Sequence, residues 1–258
     1  MSKFTYSLLK DVFMQDDPAY VPSPEQIPTR FGLLQGTWPD VKQLNASAEP
    51  GTTFKLLFIA RHGEGFHNAA SRKFGKEIWE AHWAYLTGDD ELTWGPDPEL
   101  NELGIRQAEL ARQAWEQYSA PAPELVLCSP LRRALHTCSI TFPGRQARVI
   151  EDVRELITGY SCDYRLPASS LHAQYPQHDF SGLESETDPN AGFRETHEQL
   201  VQRVRRVLDS VFEEQPQVVS ITAHGDWMKA ASEVLGRKAY RIPTGGAVAY
   251  LVKAVRQD

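Results

Sequence analysis

The feature that most constrains the fold is an apolar run, Phe54 to Ala60, that stops abruptly at Arg61-His62-Gly63-Glu64. The run reads as a buried strand. A strand that brings an arginine and a histidine to its carboxyl end, with a glycine next, sets a cation and a nucleophile at the edge where open α/β sheets bind ligands. A guanidinium can neutralise phosphate oxygens with two-pronged geometry. A neutral imidazole nitrogen can attack phosphorus and carry the phosphoryl group. The arrangement suits phosphoryl transfer; the plainer alternative is a strand-to-loop exit with an exposed Arg-His pair.

Further apolar, β-rich segments are Leu125–Cys128, Val218–Ala223 and Ala247–Val252, with a weaker one at Ala147–Ile150. Helical patterns alternate with them. Residues 102–117 place Leu103, Leu110, Ala111, Ala114 and Trp115 roughly on one face, and residues 195–213 do the same with Leu200, Val204, Val207, Leu208, Val211 and Phe212. Shorter helices are expected at 130–140 and 226–236, with Gly236 at a C-terminus. This alternation predicts an α/β fold: three layers, α/β/α, around a mainly parallel sheet. The whole chain, 1–258, reads as a single domain. Residues 1–53, with Pro18, Pro22, Pro24, Pro28, Pro39 and Pro50, read as an N-terminal extension wrapped on the surface, the core starting at Phe54. Residues 65–100, with Trp79, Trp83, Tyr85 and Trp94, read as a helical insertion over the active-site edge, and 159–192 as an irregular excursion. The tryptophans suit either a core of their own or a pocket for an aromatic group.

With 258 residues and 41% hydrophobic content the chain can bury a large core. Its net charge of -7 argues against general nucleic-acid binding. It does not forbid a local basic pocket. The first residues lack a sustained apolar stretch with a small-residue cleavage site, and no run approaches the roughly 20 apolar residues that span a bilayer. Cys128, Cys138 and Cys162 follow no metal-ligand spacing and read as buried thiols of a reducing compartment. These features predict a cytoplasmic protein, with the nucleus as a second compartment and no membrane partner. The sequence does not set the oligomeric state.

Four pieces converge on one sheet edge. Arg61-His62-Gly63 is followed by Asn68, which could donate to a phosphate oxygen, while Gly63 permits close backbone approach. Ser129-Pro130-Leu131-Arg132-Arg133 follows the second strand, with Ser129 a candidate N-cap and Pro130 the first helical residue. His224-Gly225 repeats the strand-histidine-glycine logic of the first piece. Arg154-Glu155 follows the weak strand and supplies a carboxyl group for proton transfer, with Glu151 and Asp152 as rivals. No H-E-x-x-H pair, Walker A sequence or G-x-S-x-G elbow is present.

RHGEGFHN, SPLRRA, RE and AHGD, in this order, resemble the histidine phosphatase superfamily, also called phosphoglycerate mutase-like, over about residues 54–252. The segment PDPELNELGIRQA looks like the family's helix after the first catalytic loop. The resemblance implies that His62 becomes phosphorylated. It implies that Arg61, Arg133 and His224 form the phosphate pocket with Asn68, Gly63 and Gly225 beside them. Glu155 is implied as proton donor and then base. It also implies a contact from the other His62 ring nitrogen to a carbonyl near Gly63, and no metal or cofactor. Arg133 is preferred to Arg132 because the family pattern is Ser-x-Leu-x-Arg-Ala. The tryptophans and Cys162-Asp163-Tyr164-Arg165 look most like the fungal and plant phosphomutase-like branch. There Arg165 would reach the distal part of a substrate or tether to Asp163.

The expected activity is a phosphomonoesterase, a hydrolase acting on a small phosphorylated metabolite through a phosphohistidine. The alternatives are a mutase using the same histidine and a phospho-ligand binding module. Leu156-Ile157-Thr158-Gly159, apolar and uncharged after the acid, departs from the basic and tyrosine residues of the family's glycolytic mutases.

Overall fold

The computed structural model describes residues 2–22, 25–34 and 36–257; Pro24 lies outside them. In chain order the elements are β1 (Phe4–Leu8), α1 (Val41–Ala46), β2 (Thr52–Arg61), α2 (Phe66–Phe74), α3 (Lys76–Ala81), α4 (Glu102–Gln117), β3 (Leu125–Cys128), α5 (Arg132–Thr141), β4 (Arg148–Val149), α6 (Ala168–Gln174), α7 (His197–Glu213), β5 (Val218–Ala223), α8 (Gly225–Val234) and β6 (Ala247–Arg256). Among the described residues no helix is long and apolar enough to cross a membrane.

The six strands form one open, mixed sheet in the order β1-β6-β2-β5-β3-β4. β2, β5, β3 and β4 run parallel, while β6 is antiparallel to both β2 and β1. β2 is apolar throughout its middle because both of its faces are covered. Leu57 and Ile59 pack with α7 and α8, and Leu56 and Phe58 pack on the opposite face. The three-layer α/β/α expectation holds. α7 buries the stripe read from the sequence, Leu200 through Phe212, and its N-terminus is closed by a Thr196–Gln199 capping box. Gly236, at φ +76°, ends α8 as expected.

Three expectations need correction. The core does not begin at Phe54. Residues 4–8 are the sheet's edge strand, and Phe13, Phe31, Leu33 and Val41 are buried with Leu56 and Phe58. α4 does not bury Leu103 or Leu110, which are exposed. It buries Gly104, Ala108, Ala111 and Ala114, because small residues let it lie close to its neighbours. The helix after β3 starts at Arg132 rather than Pro130, with Leu131 at the N-cap position and no side-chain cap, and Ser129 is turned to other use. The tryptophans settle as core: Trp79 and Trp94 are buried with Ala70, Ala84 and Cys162, and the Trp94 indole N–H donates to the Leu86 carbonyl at 2.7 Å.

Sheet register positions the site. Arg61 lies opposite Ala223, and Cys128 lies opposite both Thr222 and Val149. The carboxyl ends of β2, β5, β3 and β4 therefore finish on one edge, and each hands the chain to one of the four sequence pieces.

Candidate active site

His62 leaves β2 fully buried, its N–H donating to the Ala223 carbonyl at 3.0 Å. Its Nδ1 sits 2.6 Å from the Gly63 carbonyl oxygen. A carbonyl can only accept, so Nδ1 carries the proton and Nε2 keeps the free lone pair. Burial, and then the charges of Arg133 and Arg61, hold the His62 pKa well below the ordinary histidine value. The ring is thus neutral and basic at Nε2.

His224 follows β5 in the same way, its ring centroid 4.9 Å from that of His62. Its Nε2 lies 2.7 Å from the Ser129 hydroxyl oxygen, and that oxygen accepts the Leu131 N–H at 3.3 Å. Nδ1 of His224 is buried with no partner among the described residues. Burial and Arg133 depress its pKa as well.

Two guanidinium groups complete the pocket. Arg133, in the first turn of α5, is almost wholly buried; it donates to the Cys162 carbonyl at 2.6 Å and to Asp163 Oδ1 at 3.1 Å. Asp163 is itself fixed by the Thr158 hydroxyl at 2.7 Å. Arg61 donates to the Ile242 carbonyl at 2.8 Å. The Nε–H of each arginine is buried without a partner among the described residues. An unmet buried donor costs about 1–3 kcal/mol, and an anion's oxygens would meet both.

Glu155 follows β4 after a short turn, Glu151–Val153, and meets the N-terminal turn of α8. Its Oε1 accepts the N–H groups of Leu156 and Asp226 at 3.0 Å each, the second from the N-terminal turn of α8. Burial first, then repulsion from Asp226 and Asp163, push its pKa up to about 7. That value suits a group that must give and take a proton near neutrality. Its rivals are engaged elsewhere: Glu151 with Arg154 and Arg165, Asp152 with Arg206.

Asn68 uses Oδ1 to accept the Gly65 N–H at 3.0 Å, and it lines the cleft. Gly63 works differently from expectation. Its N–H donates to the Thr137 hydroxyl at 2.9 Å, and a Cβ there would stand 2.3 Å from the Gly104 carbonyl oxygen. The missing side chain serves the approach of α4 rather than of a phosphate. A Cβ at Gly225 would make ordinary 3.5 Å contact with the Arg61 guanidinium, so that glycine adjoins the pocket without a close approach.

Arg165 is not brought to the site. It is buried, bonded to Glu151 and to the carbonyls of Leu166, Ser185, Glu186 and Thr187. No donor is left for a substrate, and the partner of Asp163 is Arg133 rather than Arg165. Arg154 is likewise structural, clamped on Asp188.

The pocket opens into a cleft of about 680 Å³ lined by Arg61, Asn68, Arg72, Lys76, Arg241 and Thr244, among others. Several residues in or beside the site went unread in the sequence, His67, Arg241 and Thr244 among them. His67 places its ring centroid 5.5 Å from that of His62, with Nδ1 buried and unpartnered among the described residues. Placing a helix start at Phe66 would have pointed it inward beside Asn68. Arg241 and Thr244 lie in an aperiodic loop between α8 and β6, where no pattern marks them.

The sequence model of the histidine phosphatase superfamily (branch 1) matches residues 80–243, a span that starts after His62 and takes in Arg133, Glu155 and His224. A protein named "Probable phosphoglycerate mutase" from Arthroderma benhamiae is 30% identical, over 96% of this chain and 84% of that one. "Phosphomutase-like protein 3" from Candida albicans is 30% identical over 96% and 79%. The ecdysone phosphate phosphatase from Bombix mori, solved with tungstate, superposes with a TM-score of 0.49 at 15% identity, covering 76% of this chain and 88% of that one.

Proposed function

The chain belongs to the histidine phosphatase superfamily (branch 1), and from that premise we propose that it is a phosphomonoesterase working through a phosphohistidine at His62. The observation that carries this reading is the 2.6 Å contact of His62 Nδ1 with the Gly63 carbonyl. It leaves Nε2 unprotonated at the centre of Arg61, Arg133 and His224.

In the first step the Nε2 lone pair forms a bond to phosphorus as the bond to the ester oxygen breaks. Protonated Glu155 gives its proton to the departing alkoxide. Charge spreading over the equatorial oxygens meets Arg61, Arg133, His224 and Asn68, donors set in place before the reaction. In the second step a water attacks phosphorus, Glu155 takes its proton, the P–N bond breaks, and inorganic phosphate leaves. The fixed cations supply the charge stabilisation that a metal supplies elsewhere, so no step calls for a metal or cofactor. The substrate is a small phosphorylated metabolite. Free, buried Cys128, Cys138 and Cys162 favour a reducing compartment, and the cytosol is the proposed location.

The test is phosphate release from an aryl phosphate with chelator present, comparing wild type with His62→Ala. Turnover lost in the variant supports the reading; full activity in His62→Ala overturns it. The names of the relatives favour a mutase as the second reading. Interconversion of 3- and 2-phosphoglycerate faster than hydrolysis would establish it in place of the first.

A further inference from the structure

The peptide that joins Gly63 to Glu64 sets the state of His62. Its carbonyl accepts the hydrogen bond of His62 Nδ1 at 2.6 Å, and its N–H, borne by Glu64, donates to Gln107 Oε1 at 2.8 Å. A peptide group bonded at both ends is held against rotation, and each bond polarises it to strengthen the other. The bond to Nδ1 gains strength as Nε2 bonds to phosphorus, because the ring then carries positive charge. Gln107 is a half-buried residue of α4. The second support of His62 is the loop before β6. There the Gly245 N–H donates to the His62 carbonyl at 2.8 Å, and the Gly246 carbonyl accepts the Arg61 N–H at 2.8 Å. The Ile242 carbonyl of the same loop accepts the Arg61 guanidinium. Backbone groups alone thus hold two residues of the site from this side.

Gln26, from the N-terminal extension, joins the two supports. Its Nε2 donates to the Gln107 carbonyl and to the Gly245 carbonyl, at 2.7 Å each, so both amide protons are used. The fit is close. A Cβ on Gly245, at φ +72°, would stand 2.6 Å from Gln107 Cβ and 2.8 Å from Gln26 Nε2, and one on Gly246 would stand 2.8 Å from the Gln26 carbonyl oxygen. Neither glycine could carry a side chain without displacing its neighbours. The links form a closed circuit. From the His62 carbonyl it passes through Gly245, Gln26 and Gln107 to the Glu64 N–H, and the Gly63 carbonyl returns it to His62 Nδ1.

Resting on the reading of His62 as the nucleophile, we propose that Gln26 is a positioning residue for it. Gln26 holds α4 against the loop before β6 and so keeps the Gly63–Glu64 peptide aimed at His62 Nδ1. It acts through Gln107 and Gly245 and touches no substrate. A segment whose sequence reads as a surface wrap is thereby built into the support of the active site.

The experiment measures kcat and KM for an aryl phosphate between about pH 5 and 8 on wild type, Gln26→Ala, Gln26→Glu and Asn45→Ala. Asn45 is the control: it too bonds backbone twice, to Phe54 at 2.9 and 2.8 Å, but at the opposite end of β2. Gln26→Ala should lower kcat by about tenfold and leave KM within about twofold. Gln26→Glu sets a carboxylate against two carbonyl oxygens and should lose at least as much at the alkaline end. Toward the acid end it should recover relative to wild type, because a protonated carboxyl can donate to one of them. Asn45→Ala should lower stability and keep kcat within about twofold. A second readout needs no turnover. The downfield proton resonance of His62 Nδ1–H, identified by its loss in His62→Ala, should move upfield in Gln26→Ala and stay in place in Asn45→Ala. An unmoved resonance in Gln26→Ala, a kcat there within about twofold of wild type, or an equal fall in Asn45→Ala overturns the proposal. A moved resonance in a protein that hydrolyses nothing would sustain the positioning role and count against the hydrolytic reading alone. Should Gln26→Ala fail to fold, Gln26→Glu carries the test, and a defect that does not change with pH overturns the proposal.

Discussion

His62 can attack only while its ring is neutral, and Glu155 can assist the leaving group only while it holds a proton. Burial and two neighbouring guanidiniums keep the His62 pKa well below 6.5, and burial with Asp226 and Asp163 lifts that of Glu155 to about 7. The kcat/KM profile should therefore be flat on the acid side of 7, down to the depressed His62 pKa. It should fall about tenfold per pH unit above 7. Glu155→Gln should abolish that alkaline limb and lower kcat/KM by about two to four orders of magnitude. Asp226→Asn, which removes the like charge beside Glu155, should move the limb to lower pH. A limb that stays at 7 in Glu155→Gln would assign it to another group. At this scale the sequence was informative wherever a site residue directly ends a strand, as Arg61, His62 and His224 do. It was silent on Asp163 as the partner of Arg133, because the two are 30 positions apart, with α5 and β4 between them, and no local spacing links them.

Among elements, the contact between α4 and the loop after β2 decides where His62 points. A Cβ on Gly63 would meet the Gly104 carbonyl at 2.3 Å, and one on Gly104 would meet the Glu64 carbonyl at 2.1 Å. Backbone cannot yield there as a flexible side chain could. Gly104→Ala should cost about 1–3 kcal/mol by chemical denaturation and lower kcat through displacement of the loop. Wild-type stability and kinetics in that variant would show that the loop adapts. The same contact explains why α4 was misread. Of the face read from the sequence, Ala111 and Ala114 are buried while Leu103 and Leu110 are exposed, because close approach to the loop needs the small residues Gly104 and Ala108. β2, β3 and β5 were plain in the sequence because strands covered on both faces are apolar without interruption. β1 was not: its burial alternates, and its pairing partner, Leu8 opposite Val252 through Phe4 opposite Arg256, lies at the other end of the chain.

For the whole molecule, imidazoles enclosed by the fold tie stability to pH. Burial is the first cause that holds the pKa values of His62, His67 and His224 well below 6.5. Below pH 6.5 the unfolded chain binds protons that the folded chain refuses, so stability falls with falling pH. Each histidine contributes a slope of about 1.4 kcal/mol per pH unit. Glu155 acts in the opposite sense, since its raised pKa makes the folded state take up a proton between about 7 and 4.5. Asp97, pushed up to about 6 by burial, acts in the same sense as Glu155, while burial also lowers His136 and His178, so the histidines prevail and stability falls as pH drops below 6.5. Urea unfolding between pH 7.5 and 5 measures this, and His67→Ala should lower the slope by about 1.4 kcal/mol per pH unit. Unchanged stability across that range would mean that the histidines are protonated in the fold.

The account as a whole rests on a covalent P–N bond at His62, and trapping that bond tests it most directly. Protein mixed with a ³²P-labelled phosphate ester, quenched within one turnover and denatured, should carry label that survives alkali and is released by acid. The label should map to the peptide containing His62 and be absent from His62→Ala. Hydrolysis by wild type with no acid-labile label under any quench, or label that persists in His62→Ala, would contradict the mechanism.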